Sequence, residues 1–334
     1  MAANFDLKRF EHPATVLEKY LDLKAQGHEV ALAILVGTEG GATRELGSLM
    51  AVTADRETIG SIVGGCIEAE VVTQATEALM QQKPKRLRYG GDSPIIDLRL
   101  PCDGTVEILV LPNLSAEKAH RWHSELNNRR PVLVGFGECD VAEIISTGIP
   151  SQPGQLISYI EYQPEIVLRI VGTGLEGIAL AELAIKSGFR VILQSINPMD
   201  RPERAAMDRI VFQHLKSAAS LNETCDDRWT ALIVMVHDME WEVSLLQLAL
   251  EGDCFYIGAV GSKASRRKRD QELESLGARS VDLKRVHGPI GLVPSMRSPS
   301  TLAISILAEV IDVFRKRPEP LIQSWRGGSH EHNG

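Results

Sequence analysis

The stretch that most constrains this chain is Glu165–Ser195, EIVLRIVGTGLEGIALAELAIKSGFRVILQS. A mostly apolar run, Ile166–Val171, meets Gly172-Thr173-Gly174-Leu175-Glu176-Gly177, a G-x-G-x-x-G. A helical pattern follows, Gly188 suits its C-terminal cap, and a second apolar run begins at Val191. Strand, glycine turn, helix and strand within about thirty residues make a dinucleotide-type βαβ unit, so the pattern predicts a Rossmann-like parallel sheet. Gly172 and Gly174 let the backbone turn and approach a ligand, and Gly177 lets the helix pack on the sheet. The free N–H groups at the helix start favour an anion such as a pyrophosphate. An NAD site also wants a carboxylate at the end of the second strand. That position reads Leu193-Gln194-Ser195-Ile196-Asn197, without an acid. The fold is favoured and NAD(P) as cofactor is disfavoured.

With 334 residues the chain has room for two domains, each with its own core. The longest apolar runs, such as Val30–Val36, fall far short of the roughly 20 residues that span a bilayer, so no membrane segment is expected. The start, MAANFDLKRFEH, has no apolar core of signal-peptide type. Five cysteines without a C-x-x-C pair argue against a disulfide framework and a zinc ribbon, and predict a cytoplasmic protein with reduced thiols. A net charge of -8 disfavours nucleic acid as a main partner, because phosphate binding needs an excess of Lys and Arg.

Taken in order, His12–Gln26 reads as a helix, Val30–Val36 as a buried strand, and Gly37–Gly47 as a glycine-rich turn carrying Arg44. Ser48–Thr53 resumes as strand. Gly60–Glu68, GSIVGGCIE, opens a helix running toward Gln82 and puts Cys66 in its first turn after Gly64 and Gly65. A helix start lowers a thiol pKa, while Glu68 nearby opposes that effect. Lys83–Arg88 reads as a basic loop, and Pro101-Cys102-Asp103-Gly104 leads into the strand Thr105–Leu111. Cys139, Cys225 and Cys254 lack a glycine setting and are read as structural. Ser115–Asn128 resembles an exposed helix and Pro131–Gly135 a strand. The expected division is a small α/β domain over 1–114, a connecting region over 115–163, a Rossmann-like domain over 164–317 and a tail over 318–334. In the second half, the strand Ala231–Val236 ends at His237-Asp238, on the carboxyl edge where open α/β sheets bind ligands. Cys254–Val260 is a further strand, followed by Gly261-Ser262 and five cations in Lys263–Arg269. Arg266 and Arg269, three apart, share a helix face and suit an anion. His287 opens a turn-rich loop, and a helix over Ser298–Lys316 follows.

These pieces together resemble the XdhC/CoxI family of molybdenum-cofactor maturation and insertion chaperones for xanthine dehydrogenase-type enzymes. The resemblance is carried by GGATRELGSLM at Gly40–Met50, GSIVGGCIE at Gly60–Glu68 and CDGTV at Cys102–Val106. It continues in the glycine turn at Gly172, His237-Asp238, IGAVGS at Ile257–Ser262 with its basic helix, HGPIGL at His287–Leu292 and AISILAE at Ala303–Glu309. It implies a small XdhC/CoxI domain followed by a Rossmann domain, often dimeric. It further implies binding of the molybdenum cofactor (molybdopterin, with or without an attached nucleotide), sulfuration by a cysteine desulfurase partner, and delivery to an apo molybdoenzyme, without turnover of a substrate. Cys66 matches the cysteine of the family's Gly-Gly-Cys-x-Glu motif and becomes a candidate molybdenum contact; Cys102 matches the second cysteine.

Departures from the family pattern fall at ligand loops: Gly41 and Thr43 for the usual Ser and Pro, Asp103-Gly104 for Gly-Gly, Ser195 for an acid, Asn197 for an arginine, and Val293-Pro294-Ser295-Met296 for Asp-Ile-Gly-Ala. Two other functions share parts of the pattern. One is a scaffold for the desulfurase or apo-enzyme that holds no cofactor; the other is an NAD(P)-dependent oxidoreductase.

Overall fold

The computed structural model describes residues 12–40, 44–63, 65–90, 104–146, 158–172, 174–201, 210–223 and 226–317. They fall into two compact units that divide between Pro164 and Glu165.

The first unit runs α1 (Pro13–Ala25), β1 (Val30–Glu39), β2 (Leu49–Thr53), β3 (Thr58–Gly60), α2 (Gly65–Gln81), β4 (Lys85–Tyr89), β5 (Thr105–Leu111), α3 (Ala116–Asn127), β6 (Val132–Phe136), β7 (Val141–Ile145) and β8 (Ser158–Tyr162). Five strands form an antiparallel sheet in the order β3-β2-β1-β5-β4. Its central strand is apolar along most of its length because both faces are covered. Val30, Leu32, Ile34 and Val36 join the core built with α1 and α3, whereas Ala31, Ala33 and Leu35 join the core under α2.

The stretch Lys83–Arg88, expected as a basic loop, instead supplies β4. It pairs with β5, and its arginines are neutralised across the sheet, Arg86 by Glu107 at 3.2 Å and Arg88 by Glu39 at 3.4 Å. Arg86 and Glu107 stand on adjacent strands, where opposite charges stabilise pairing, whereas Glu39 reaches Arg88 from β1, on the far side of β5. The stretch 115–163 likewise does more than connect. It contributes α3 and a three-stranded sheet, β7-β6-β8, to the first unit. Trp122 meets the rings of Phe136 and Tyr162 edge-on at 6.3 and 4.6 Å, in the same core as Leu17 and Tyr20 of α1.

The second unit runs β9 (Val167–Gly172), α4 (Leu175–Lys186), β10 (Arg190–Ser195), β11 (Ile210–His214), β12 (Thr230–Met235), α5 (Met239–Glu251), β13 (Tyr256–Ala259), α6 (Lys263–Ser275), α7 (Ser280–Leu283), β14 (Val286–His287) and α8 (Pro299–Arg315). All six strands are parallel, in the order β11-β10-β9-β12-β13-β14. Numbered within the unit this is 3-2-1-4-5-6, the doubly wound order of a Rossmann fold, and the switch point lies between β9 and β12. Ala231, Ile233 and Met235 of β12 face the core shared with α4 and α8. Leu232 and Val234 face the core shared with α5, α6 and α7. Among the described residues no helix is long and apolar enough to cross a membrane.

Candidate functional site

Parallel strands bring their carboxyl ends to one edge of the second unit. Gly172 ends β9, His237 follows β12, Gly261 and Ser262 follow β13, and His287 ends β14. Residues predicted from scattered motifs, Gly174 among them, therefore gather along the edge that contains the switch point. His237, Gly174, Gly261 and Ser262 are exposed there.

The three glycines of the turn serve different ends. A Cβ on Gly172 would stand 2.8 Å from Met235 Cβ and 3.1 Å from its carbonyl oxygen, so this glycine lets β9 lie close against β12. Gly174 has φ +83° at the start of α4, a conformation L side chains rarely adopt. Gly177 is buried under the sheet, where a Cβ would meet Ile170 and Leu193 only at ordinary contact distance. At the end of β10, Ser195 is buried and its Oγ accepts the Asn197 N–H at 3.0 Å. The ribose position at this strand end carries no carboxylate.

Two helix starts at this edge are capped by their own side chains. Asp238 accepts the Trp241 N–H at 3.0 Å at the head of α5, and Ser262 accepts the Ser265 N–H at 3.1 Å at the head of α6. Asp238 thus has a structural task beside His237.

The arginine pair predicted on α6 occupies two different environments. Arg266 is 43% exposed and donates to the Gly288 carbonyl at 2.6 Å, with Asp270 at 3.5 Å. Arg269 is 1% exposed and pairs at 2.5 Å with Glu242 of α5, itself 7% exposed. A Cβ on Gly288 would come within 2.4 Å of Arg269 Nη2, so the guanidinium lies directly beneath that loop. Arg269 is corrected accordingly from an anion-facing side chain to a buried support. Helical spacing put it on the same stripe as buried Leu273, four residues on, and that was the available signal.

His287 stacks on Tyr256 of β13 with ring centroids 4.7 Å apart, and its Nδ1 lies 3.4 Å from Glu309 of α8. Burial alone would raise the Glu309 carboxyl. His287, the Gly291 N–H that it accepts, and Tyr256 together hold it below its usual value. Burial, with the Glu309 charge beside it, pushes the Tyr256 phenol above its ordinary range. The loop after His287 is fastened again by Ser305, whose Oγ accepts the Val293 N–H at 2.8 Å and donates to the Val293 carbonyl at 3.0 Å. Sequence reasoning missed Glu309 and Ser305 as site residues; two polar residues four apart on the inner face of an apolar helix were the signal.

In the first unit, α2 begins at Gly65, so the Cys66 backbone lies in its first turn. Arg44 Nη2 donates to Ser61 Oγ at 3.3 Å, and Ser61 Oγ donates to Glu68 Oε2 at 2.9 Å. That chain joins the turn before β2 to the first turn of α2. Gly64, Cys102 and the side chain of Cys66 lie outside the described residues. Cys139, expected to be structural, is exposed, whereas Cys254 is buried and burial pushes its thiol well up. Among the described residues no three His, Cys, Asp or Glu side chains converge as a metal site.

Known proteins share this architecture. Residues 168–310 match the XdhC Rossmann domain, and residues 23–90 match the XdhC and CoxI family. The chain is 30% identical over 301 residues to the molybdenum cofactor insertion chaperone PaoD of Escherichia coli strain K12, covering 90% of this chain and 88% of that protein. It is 24% identical over 324 residues to a probable xanthine dehydrogenase subunit of Bacillus subtilis strain 168, covering 86% of this chain and 94% of that protein. The crystal structure of a xanthine dehydrogenase from Bacillus halodurans has the same fold, with a TM-score of 0.71 at 21% identity over 92% of this chain and 97% of that one.

Proposed function

The chain belongs to the XdhC and CoxI family, and from that premise we propose that it carries molybdenum cofactor to an apo molybdoenzyme of the xanthine dehydrogenase type. In this reading the protein is an accessory chaperone, dimeric and cytoplasmic, and the cofactor is its cargo. It shelters the cofactor while a cysteine desulfurase supplies the sulfido ligand, and then hands it over. The observation that carries the reading is the cluster at the carboxyl edge of the second unit: the exposed start of α4 at Gly174, His237, Ser262, half-exposed Arg266 and His287. The start of α4, which carries no side-chain cap, and a guanidinium suit the phosphate of a pterin or of its nucleotide form. The absence of an acid at the end of β10 speaks against hydride chemistry with a dinucleotide.

Cys66, at the start of α2, is the proposed thiol contact to the molybdenum, and Arg44, Gly64, Gly65, Glu68 and Cys102 are proposed to complete that part of the site. The test is molybdenum and pterin analysis of protein mixed with isolated molybdenum cofactor and then desalted, beside Cys66→Ala. Near-stoichiometric retention by the wild type and loss in the variant are expected. Retention by neither discards the carrier role and leaves a scaffold for the desulfurase or apo-enzyme. Equal retention by both removes Cys66 from the site.

A further inference from the structure

The Glu309 carboxylate is half-buried and turns its two oxygens toward two different groups. Oε1 lies 3.4 Å from His287 Nδ1, and Oε2 accepts the backbone N–H of Gly291. A carboxylate accepts only, so a neutral imidazole facing it must carry its proton on Nδ1. The second ring nitrogen, Nε2, then holds a lone pair. No hydrogen-bond partner for Nε2 is found among the described residues, and the side chain is 32% exposed at the carboxyl edge.

The surroundings hold the ring still. Tyr256 lies against one ring face at 4.7 Å between centroids. The charged groups around His287 are Glu309 of α8 and the two α6 arginines at the adjoining Gly288, Arg266 through its carbonyl and Arg269 beneath it, with Glu242 behind Arg269. The loop carrying His287 is thus braced by α6 on one side and by Glu309 and Ser305 of α8 on the other. A histidine fixed in one tautomer by a carboxylate is a directed acceptor rather than a general cation.

We infer that Glu309 is a positioning residue that locks His287 in its Nδ1–H form, so that Nε2 accepts a hydrogen bond from an N–H or O–H group of the bound ligand. The inference rests on the carrier reading for its ligand. It assigns His287 to the edge of a heterocycle bearing N–H donors, such as the pterin, and leaves the phosphate to Arg266 and the start of α4.

The experiment uses full-length protein with 15N-labelled histidine, the His287 signals being assigned with His287→Gln. At a pH where the imidazole is neutral, the two ring nitrogens report the tautomer directly. The expected result is Nδ1–H in the wild type and a loss of that bias in Glu309→Ala. Ser305→Ala, which removes the other fastening of the loop but not the partner of His287, is expected to keep the wild-type tautomer. An Nε2–H ring in the wild type overturns the assignment by itself, even if Glu309→Ala does not fold. Equal effects of Glu309→Ala and Ser305→Ala overturn the specific role of Glu309. Titration with a free pterin is then expected to shift Nε2, and inorganic phosphate is not. No pterin-induced shift overturns the ligand class. If the tautomer result holds while the wild type retains no molybdenum cofactor, the carrier reading fails and the positioning role stands.

Discussion

Arg269→Met separates a structural cation from a ligand-binding one. The guanidinium sits 2.5 Å from Glu242 with both side chains nearly excluded from water, at 1% and 7% exposure. Methionine fills much of the same space but leaves the Glu242 carboxylate buried without its counter-charge. Removing one member of such a pair costs about 3–5 kcal/mol. For a unit of this size, each kcal/mol moves the melting temperature by roughly 2–4 °C, so a fall on the order of 6–20 °C is expected. Replacing both partners, as Arg269→Met with Glu242→Leu, is expected to recover most of that loss, because the orphaned charge disappears with its partner. Lys268→Ala, one residue earlier and exposed, is the control and is expected to stay within about 0.5 kcal/mol of wild type. Calorimetry of the full chain measures all four proteins, and the transition that moves belongs to the second unit. A single variant that melts within about 2 °C of wild type while losing molybdenum cofactor would refute the argument. Arg269 would then be a ligand contact after all.

Two further outcomes can be checked on the same protein. Gly172→Ala drives a Cβ to 2.8 Å from Met235 Cβ, and this crowding between β9 and β12 is expected to cost about 1–3 kcal/mol by urea denaturation, with Gly174 untouched. His12 caps α1, its Nδ1 accepting the Ala14 N–H at 3.2 Å while Nε2 donates to the Gln163 carbonyl at 3.1 Å. Burial, only partly offset by the Gln163 carbonyl, lowers its pKa from 6.5 to about 4. The folded state therefore binds this proton less readily than the unfolded chain. The stabilisation is complete above the unfolded value of 6.5 and is lost as pH falls toward about 4. The pH dependence of first-unit stability in that window is expected to flatten in His12→Asn.

The parts of the fold that were legible in the sequence share one property: their signal is local. The βαβ unit needs only Gly172 to Gly177 between two apolar runs, and the buried strands β1 and β12 declare themselves by long apolar runs. What escaped depends on partners far along the chain. KRLRY is a strand because it pairs along β5, and Glu107 and Glu39 meet its arginines there, at sequence distances no local pattern records. The region 115–163 looked like a connection because its strands are short, and their burial depends on Trp122 and on α1. At the candidate site, the motif residues at strand ends were readable because a parallel sheet delivers them to one edge. Their supports were not. Whether Arg269 faces ligand or Glu242, and whether Glu309 faces solvent or His287, is decided by how α6 and α8 are rotated against the sheet, which charge runs do not encode.

The hydrogen bond between His12 and the Gln163 carbonyl has a consequence for synthesis. The helix that leaves the ribosome first in the described chain packs on α3 and shares its core with β6 and β8, the last of which is made some 150 residues later. At about 5–20 residues per second, α1 waits on the order of 10–30 s for its full surroundings. The first unit is therefore completed late, just as the chain passes into β9, and the second unit starts afresh from its own βαβ element. A fragment ending at residue 114 would strand Leu17, Tyr20 and the outer face of β1 without their cover, whereas a cut between Pro164 and Glu165 follows the order in which the polypeptide closes.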